Sequence, residues 1–298
     1  MPKVITFTAN LLAETTYTYS GWSPGKTHRA IAESFQVGGK GINVSKMLSK
    51  LGADNLALCF PGGIFGPACE RWMEEKSIAT LPFREGCVTR SGSVIRGQGQ
   101  PETTFLGTDS IVSKEAIQQV VESLELYQEP FVLAICGSVQ DWDRGRWEPL
   151  RWWISKRPET VSLVVDNYGP SLPWFVQQNP ELIKINRDEL ETLFEKDRRS
   201  AETSELLALA RERFGCRRWV ITDGAELIWV MDGDAEPESF APRQVDCVSP
   251  TGCGDVVFAT LIDCLYNKTG YALLKAAKLA AEYGSRNAAM PGIAEFEL

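Results

Sequence analysis

Residues 248–266 read VSPTGCGDVVFATLIDCLY, a turn with two glycines that leads directly into an apolar segment. The segment predicts a helix over Asp255–Tyr266. The first amide N–H groups of a helix lack internal partners, and the helix dipole adds partial positive charge there. Because glycine lets an anion approach the backbone closely, the turn suits a phosphate. Asp255 either stabilises the start of this helix or faces a ligand as a general base, and the motif alone leaves both roles open.

Apolar segments alternate with helical periodicities along the rest of the chain. The predicted strands are Val4–Ala9, Leu56–Pro61, Phe131–Cys136, Ser162–Asp166, Leu182–Asn186, Arg218–Thr222 and Leu227–Met231. Apolar periodicity predicts the other helices at 44–51, at 117–124 after the N-cap candidate Ser113, at Ser200–Phe214 and at Tyr271–Arg286. Several strands are apolar throughout, as strands covered on both faces are, so the pattern predicts an α/β fold with a mostly parallel sheet.

Two segments interrupt this alternation. Residues 12–37 and 83–106 are rich in glycine, serine, threonine and short β-prone runs, with little helical periodicity. We interpret them as hairpins that form a small lid outside the main sheet, within one domain that spans residues 1–298.

Composition excludes several classes of function. The chain has 298 residues, with 31 Lys and Arg against 39 Asp and Glu, and a net charge of −8. Nucleic acid is therefore not expected as a partner, and no apolar run is long enough to cross a membrane. His28 is the single histidine, which excludes a multi-histidine metal site and leaves acid–base chemistry to a carboxylate. The 8 cysteines form no C-x-x-C pair, so free thiols and a cytoplasmic location are expected.

Three further motifs lie at predicted strand ends or helix starts. Residues 38–43 read GGKGIN and open a helix, which suits an anionic ligand but is also explained by a tight turn. In residues 183–190, IKINRDEL, Asn186 and Glu189 could organise a hydrated Mg²⁺, or simply cap a helix. Residues 220–225, VITDGA, are a strand followed by a turn, and no P-loop or dinucleotide-binding fingerprint is present.

The order of these motifs, with Thr89-Arg90 between the first and second, resembles the ribokinase-like (PfkB) carbohydrate kinases from about residue 10 to about residue 287. The resemblance implies an α/β/α sandwich with a small β-sheet lid. It also implies transfer of the γ-phosphoryl group of ATP, with Mg²⁺, to a sugar hydroxyl. Within the family, Lys40 and Arg90 look most like kinases of an already phosphorylated sugar, of the fructose-1-phosphate or tagatose-6-phosphate type. Lids in this family often pair, which implies a homodimer.

The resemblance also implies a role for each motif residue. Asp255 would be the general base, and the amides of Gly252, Cys253 and Gly254 would form the anion hole. The substrate would be bound by Asn10, Glu14, Gly38, Gly39, Lys40, Asn43 and Arg90. The nucleotide would be bound by Lys184, Asn186, Thr222, Gly224 and Asn287. Asn186 and Glu189 would act on Mg²⁺ through water.

Several positions depart from the family pattern. Glu14 replaces the usual aspartate that binds sugar hydroxyls, and Cys253 replaces an alanine. Leu227 and Thr260 replace glycines, and residues 139–143 read VQDWD where the family has a different turn. Two alternatives therefore stay open: a kinase of an unphosphorylated sugar or a nucleoside, and a catalytically inactive relative that binds a sugar phosphate.

Overall fold

Two β-sheets of unequal size organise the chain. The computed structural model describes residues 3–195, 201–268 and 270–298. The strands are β1 Lys3–Thr8, β2 Leu12–Tyr19, β3 Ala32–Gly38, β4 Asn55–Cys59, β5 Thr80–Pro82, β6 Arg90–Gly97, β7 Gln100–Leu106, β8 Phe131–Cys136, β9 Val161–Asp166, β10 Leu182–Asn186, β11 Arg218–Thr222, β12 Ile228–Asp232 and β13 Glu238–Phe240.

The large sheet has nine strands in the order β13-β12-β11-β10-β9-β8-β1-β4-β5. Pairing is parallel from β11 through to β5, and only β12 and β13 run antiparallel to their neighbours. The predicted strands agree with the observed ones to within two residues. The pattern did not reveal β5 and β13, which are three-residue strands at the two edges.

Helices cover both faces of the large sheet. They are α1 Lys40–Lys50, α2 Gly66–Glu75, α3 Lys114–Glu125, α4 Glu148–Lys156, α5 Leu172–Val176, α6 Arg187–Glu191, α7 Thr203–Arg213, α8 Cys253–Ile262 and α9 Leu273–Ala288. Strand β8 shows why the strands are apolar throughout: Phe131, Leu133 and Ile135 face one core, and Val132, Ala134 and Cys136 face the other. The prediction of an α/β sandwich is confirmed.

The small sheet has four strands in the order β3-β2-β6-β7. It comes from the two segments that interrupt the helical alternation, 12–37 and 83–106. β2–β3 and β6–β7 pair antiparallel, and β2 joins β6 in parallel. Whether this sheet moves as a lid, and whether the chain is one domain, stay predictions.

The helix boundaries differ from the sequence predictions in small ways. Ser113 caps α3 by accepting a hydrogen bond from the amide of Ala116, as expected. Helix α8 begins at Cys253, two residues before the predicted start, and Asp263–Asn267 continue it as a π-helical turn. The prediction for Ser200 falls outside the described residues. No helix among the described residues is long and apolar enough to span a bilayer.

All eight cysteines lie within the described residues and are free thiols, as expected. Cys247 is exposed, Cys253 is half-buried and the others are buried. Burial raises the pKa of the Cys216 thiol to about 12 and that of the Cys264 thiol to about 11, so both thiols stay protonated at neutral pH.

The functional motifs converge because the strands are parallel. Thr8, Asp166, Asn186 and Thr222 are the last residues of β1, β9, β10 and β11, and therefore lie along one edge of the large sheet. The carboxyl edge of such a sheet is where ligands bind in α/β proteins. Helices α1 and α8 begin at this edge and pack against each other there.

Candidate active site

Two cavities open at the carboxyl edge of the large sheet. The smaller cavity, about 160 Å³, lies between this edge and the small sheet. The larger cavity, about 530 Å³, lies between β10, β11 and the helices α8 and α9. Lys40 is on the wall of both cavities, so the two meet at its side chain.

The predicted residues line one or the other of these two cavities, with one exception. The smaller cavity is lined by Asn10, Glu14, Gly38, Gly39, Lys40, Asn43 and Arg90. The larger cavity is lined by Lys184, Asn186, Glu189, Thr222, Gly224, Gly252, Cys253, Gly254 and Asp255. Of the predicted set only Asn287 is missing from both walls.

The turn at 252–254 begins helix α8 with a left-handed residue. Gly252 has φ +75°, and a Cβ atom there would lie 2.6 Å from Cγ1 of Ile293. A side chain is therefore excluded both by the backbone conformation and by space. The Cys253 amide donates a long hydrogen bond, 3.4 Å, to the carbonyl oxygen of Pro250.

Asn287 supports this turn from behind. Its side chain is buried, donates to the carbonyl oxygen of Thr251 at 3.1 Å and lies 3.5 Å from the sulfur of Cys253. It also accepts a hydrogen bond of 2.7 Å from the amide of Ala294. The prediction that Asn287 binds a nucleotide stays a prediction, while its contacts indicate that it fixes the turn.

Asp255 is buried in the first turn of α8 and faces α1. The Asn43 side-chain amide donates to its Oδ2 at 2.7 Å. Burial raises the pKa of Asp255 to about 6; Lys40 lowers it and the negative charge of Asp166 raises it. A carboxylate with such a pKa is ionised at neutral pH, yet can accept a proton, as a general base must.

Asp166 is the charged centre of the site, and sequence reasoning did not single it out. It is fully buried, with Oδ1 lying 2.6 Å from Lys40 Nζ and Oδ2 lying 3.1 Å from Lys184 Nζ. Burial opposes its charge, but the two lysines together hold its pKa below the usual range. The sequence did contain a signal for Asp166, since a carboxylate at the end of an apolar strand lies at the carboxyl edge of the sheet.

Negatively charged carboxylates surround the ammonium group of Lys40. Glu189 Oε1 lies 3.9 Å from Lys40 Nζ, and the Tyr168 ring centre lies 5.0 Å away. Burial disfavours the charged form, but Asp166, Asp255 and Glu189 together raise the pKa of Lys40 well above its ordinary value. Lys40 is therefore a permanent cation at the meeting point of the cavities.

Arg90 brings a second cation to the smaller cavity. Its guanidinium lies 3.5 Å from Oδ1 of Asp109, which also accepts a hydrogen bond of 2.7 Å from Asn10. Nε of Arg90 is buried and has no hydrogen-bond partner among the described residues. Arg90 also lines the smaller cavity, so its guanidinium is a cation that a ligand in this cavity can meet.

The N-terminus of α1 forms part of the wall of the smaller cavity. Gly39 is the N-cap of α1 with φ +121°, and a Cβ there would meet Cγ2 of Thr8 at 2.7 Å. Glu14 is buried on the opposite wall and accepts a hydrogen bond from the Gln36 side chain. The substituted family position is thus a buried acceptor that faces the cavity.

Asn186 and Glu189 form a capping box at the start of α6. Asn186 accepts from the Glu189 amide at 2.7 Å, and Glu189 Oε2 accepts from the Asn186 amide at 2.8 Å. The capping interpretation of this motif is therefore confirmed, and it leaves Oε1 of Glu189 directed at the cavities. Among the described residues no cluster of three or more His, Cys, Asp or Glu could hold a metal on its own.

The remaining departures are accommodated by packing. Thr260 is buried inside α8 and donates its hydroxyl to the carbonyl oxygen of Val256 at 2.8 Å. Within residues 139–143, Trp142 packs into an aromatic cluster with Trp147, Trp174 and Phe175. Asp141 has φ +50° and pairs with Arg146 at 2.8 Å. Leu227 is partly exposed next to β12.

Comparison with known proteins places this site in context. The chain is 27% identical over 272 residues to 1-phosphofructokinase from Borreliella burgdorferi, covering 90% of this chain and 86% of the relative. It is 26% identical over 278 residues to tagatose-6-phosphate kinase from Staphylococcus epidermidis, covering 92% and 89% of the two chains. D-tagatose-1-phosphate kinase from Bacillus licheniformis is 25% identical over 277 residues, with 91% and 88% covered.

Solved structures share the fold. Phosphofructokinase-2 from Escherichia coli superposes with a TM-score of 0.85 at 20% identity, over 96% of this chain and 93% of that one. Ribokinase from Thermotoga maritima superposes with a TM-score of 0.75 at 14% identity, over 98% and 95%. The sequence profile described as pfkB family carbohydrate kinase matches residues 9–295. The chain belongs to the pfkB family of carbohydrate kinases, as its motif order predicted.

Proposed function

We propose that this kinase transfers the γ-phosphoryl group of ATP to a hydroxyl of a ketose phosphate, of the fructose-1-phosphate or tagatose-6-phosphate type. The observation that carries the proposal is the burial of Asp255 beside the meeting point of two cavities that hold different sets of cations. Relatives named 1-phosphofructokinase, tagatose-6-phosphate kinase and D-tagatose-1-phosphate kinase support the substrate class.

Asp255 is the general base of the proposed reaction. Its Oδ2 is fixed by Asn43, which leaves the other carboxylate oxygen available to the acceptor hydroxyl. Because the pKa of Asp255 is about 6, the carboxylate is ionised at neutral pH and can still take a proton as the new O–P bond forms. The proton moves from the sugar hydroxyl to Asp255, and ADP leaves with the electron pair of the broken bond.

The backbone at 252–254 is the proposed anion hole. Helix α8 points its N-terminus at the larger cavity, where the helix dipole favours the charge of a phosphoryl group. Phosphoryl transfer is governed mainly by positioning and charge stabilisation, so a preformed cradle of amides beside the base is the arrangement that it requires.

The larger cavity is the proposed nucleotide site. Thr222 and Gly224 line it at the end of β11, and Lys184 lines it from within β10. Its volume is about 530 Å³ against about 160 Å³ for the other cavity, which agrees with the larger ligand.

The smaller cavity is the proposed sugar-phosphate site. Arg90 lines this cavity, and its guanidinium would bind the phosphate that the sugar already carries. Asn10 and Glu14 offer polar groups to sugar hydroxyls. Lys40 lines the same cavity, and its ammonium group is paired with Asp166.

Mg²⁺ fits the larger cavity through water. Magnesium prefers oxygen ligands and retains several waters, and Glu189 keeps one carboxylate oxygen free of the capping box. Asn186 and Glu189 would hold the hydrated ion, which would neutralise phosphate charge when bound.

A screen of ATP consumption tests the proposed function. Sugars, sugar monophosphates and nucleosides are supplied with MgATP, and products are identified by mass spectrometry and NMR. Turnover with ketose monophosphates is expected. Turnover confined to unphosphorylated sugars or nucleosides would replace the substrate class, and turnover with none would favour the inactive relative. Asp255→Asn is the control for contaminating kinases.

We also propose that the small sheet pairs two copies of the chain. Its edge strands carry three exposed apolar side chains, Phe35, Phe105 and Leu106, which are 37%, 58% and 55% exposed. One solved form of the E. coli phosphofructokinase-2 is described as tetrameric. Sedimentation of the wild type against Phe105→Glu tests this proposal: a dimer that dissociates on substitution supports it, and a monomeric wild type contradicts it.

A further inference from the structure

The proposed base and anion hole leave one buried group unexplained. Asp166 is fully buried at the end of β9 and binds two lysines through its two separate oxygens. Its contacts join α1 to β10, since Lys40 begins α1 and Lys184 lies on β10.

The two lysines face different parts of the site. Nζ of Lys184 lies 2.7 Å from the position that a Cβ on Gly254 would occupy, which places this ammonium against the 252–254 turn. Lys40 lies on the walls of both cavities and close enough to Asp255 for their charges to interact. A phosphoryl group that passes from the larger cavity to the smaller one therefore meets both cations.

We propose that Asp166 is a positioning residue for phosphoryl transfer, because its two carboxylate oxygens hold Lys40 and Lys184 where the cavities meet. This inference rests on the proposed function. Long lysine side chains are flexible, and their alignment before the reaction costs conformational entropy. A fixed carboxylate between them supplies that alignment in advance and balances part of their charge until the phosphoryl group arrives.

The charges around Asp255 also predict how its pKa should respond to substitution of its neighbours. The charged groups that act on Asp255 are Lys40 from α1, Asp166 from β9 and Lys184 from β10. The thiols of Cys136 and Cys253 lie near it but are uncharged, because burial raises the pKa of each. Removal of the Asp166 charge should therefore lower the pKa of Asp255, and removal of either lysine charge should raise it.

Asp166→Asn is the principal test, with substrates found in the screen. We expect kcat to fall about 100-fold, as for loss of one preorganised electrostatic group, with the KM for each substrate changed less than about 5-fold. The acid limb of kcat/KM should move to lower pH. Asp166→Glu keeps the charge and should recover part of kcat with a smaller shift of the limb. The double variant Asp166→Asn/Lys40→Met should lose less activity than the product of the two single losses, because Asp166 acts partly through Lys40 and partly through Lys184.

Asp263→Asn is the matched control. Asp263 is another buried aspartate paired with a lysine, Lys268, at 2.7 Å, but it lies at the opposite end of α8. The Asp263→Asn substitution should lower the melting temperature of the protein without moving the acid limb of kcat/KM. If Asp166→Asn does not fold, Lys40→Met and Lys184→Met decide: both should lower kcat and move the acid limb upward.

Two results would overturn the positioning role. One is an Asp166→Asn enzyme with kcat within about 3-fold of the wild type and an unmoved acid limb. The other is a pair of lysine variants that both retain kcat. These outcomes presuppose an active wild type, so they are distinct from a failure of the proposed function, in which the wild type itself phosphorylates no ketose phosphate.

Discussion

The two cavities adjoin one another but are built in different ways. Charged and polar side chains from both sheets line the smaller cavity, including Glu14 and Arg90 of the small sheet. Loop and helix backbone lines much of the larger cavity, around Gly224 and the 252–254 turn. Side chains can be exchanged between relatives to suit another sugar, whereas a backbone cradle recognises the phosphate common to every reaction. In the proposed function, substrate choice and phosphoryl chemistry are therefore carried by different kinds of group.

Loss of Asp255 should have the largest effect, because this residue is the proposed general base. Asp255→Asn retains the shape and can still accept from Asn43, but it cannot take a proton. We expect kcat to fall by about 10³-fold or more, with ADP affinity measured by calorimetry changed less than about 3-fold. Activity near that of the wild type would show that the base has been misassigned.

A change of backbone at the 252–254 turn should come next. Gly252→Ala places a methyl group against Ile293 and strains a residue with φ +75°. We expect kcat to fall about 100-fold as the amides shift. The matched control is Gly233→Ala, which also has positive φ, +61°, but has no atom within 4 Å of the new Cβ. It should lower stability by about 1 kcal/mol and leave kcat unchanged. Equal kinetic effects of the two variants would argue against the cradle.

Removal of the Arg90 cation should weaken binding of the ketose phosphate and leave binding of ATP nearly unchanged. Arg90→Ala should raise the KM for a ketose phosphate about 30-fold, the value of a charge-assisted hydrogen bond, and change the KM for ATP less than about 2-fold. Arg84→Ala removes an exposed arginine paired with Glu70 and should change neither. A similar rise for both substrates would contradict the division of labour between the cavities.

The smallest effect concerns pH. With a pKa of about 6 for Asp255, kcat/KM should be constant above about pH 7 and fall tenfold per pH unit well below 6. The measurement is the pH profile at saturating MgATP. An acid limb near pH 4 would show that burial does not control this carboxyl group.

The raised pKa of Asp255 makes stability depend on pH in the opposite direction from activity. Burial makes folded Asp255 bind its proton more tightly than the unfolded chain does, so the stability contributed by this group is greatest at low pH. It is lost as pH rises from about 4 through about 6. Asp255→Asn should therefore raise the melting temperature relative to the wild type more at pH 8 than at pH 5.

Much of the site was predictable from local sequence. Each strand apolar on both faces, and each glycine turn that opens a helix, follows from short-range pattern, and Gly39 and Gly252 occupy the expected positions at the N-termini of α1 and α8. Asn186 and Glu189 were predicted with two roles, and the capping role could be resolved only by the observed hydrogen bonds. Asp166 was missed because the sequence analysis treated it only as the last residue of an apolar strand.

The sequence by itself determined the alternation of strands and helices, the separate small sheet and the family, because these depend on residues close together in the chain. Only the tertiary structure decided which charges meet. Lys40 and Asp166 are 126 residues apart, and Asn43 and Asp255 are 212 apart. Their contacts follow from the order of strands in the large sheet and the packing of α1 on α8, and spacing along the chain carries no information about such contacts. The physical reason is that hydrophobic burial selects the topology, and the topology then brings the buried charges within range of one another.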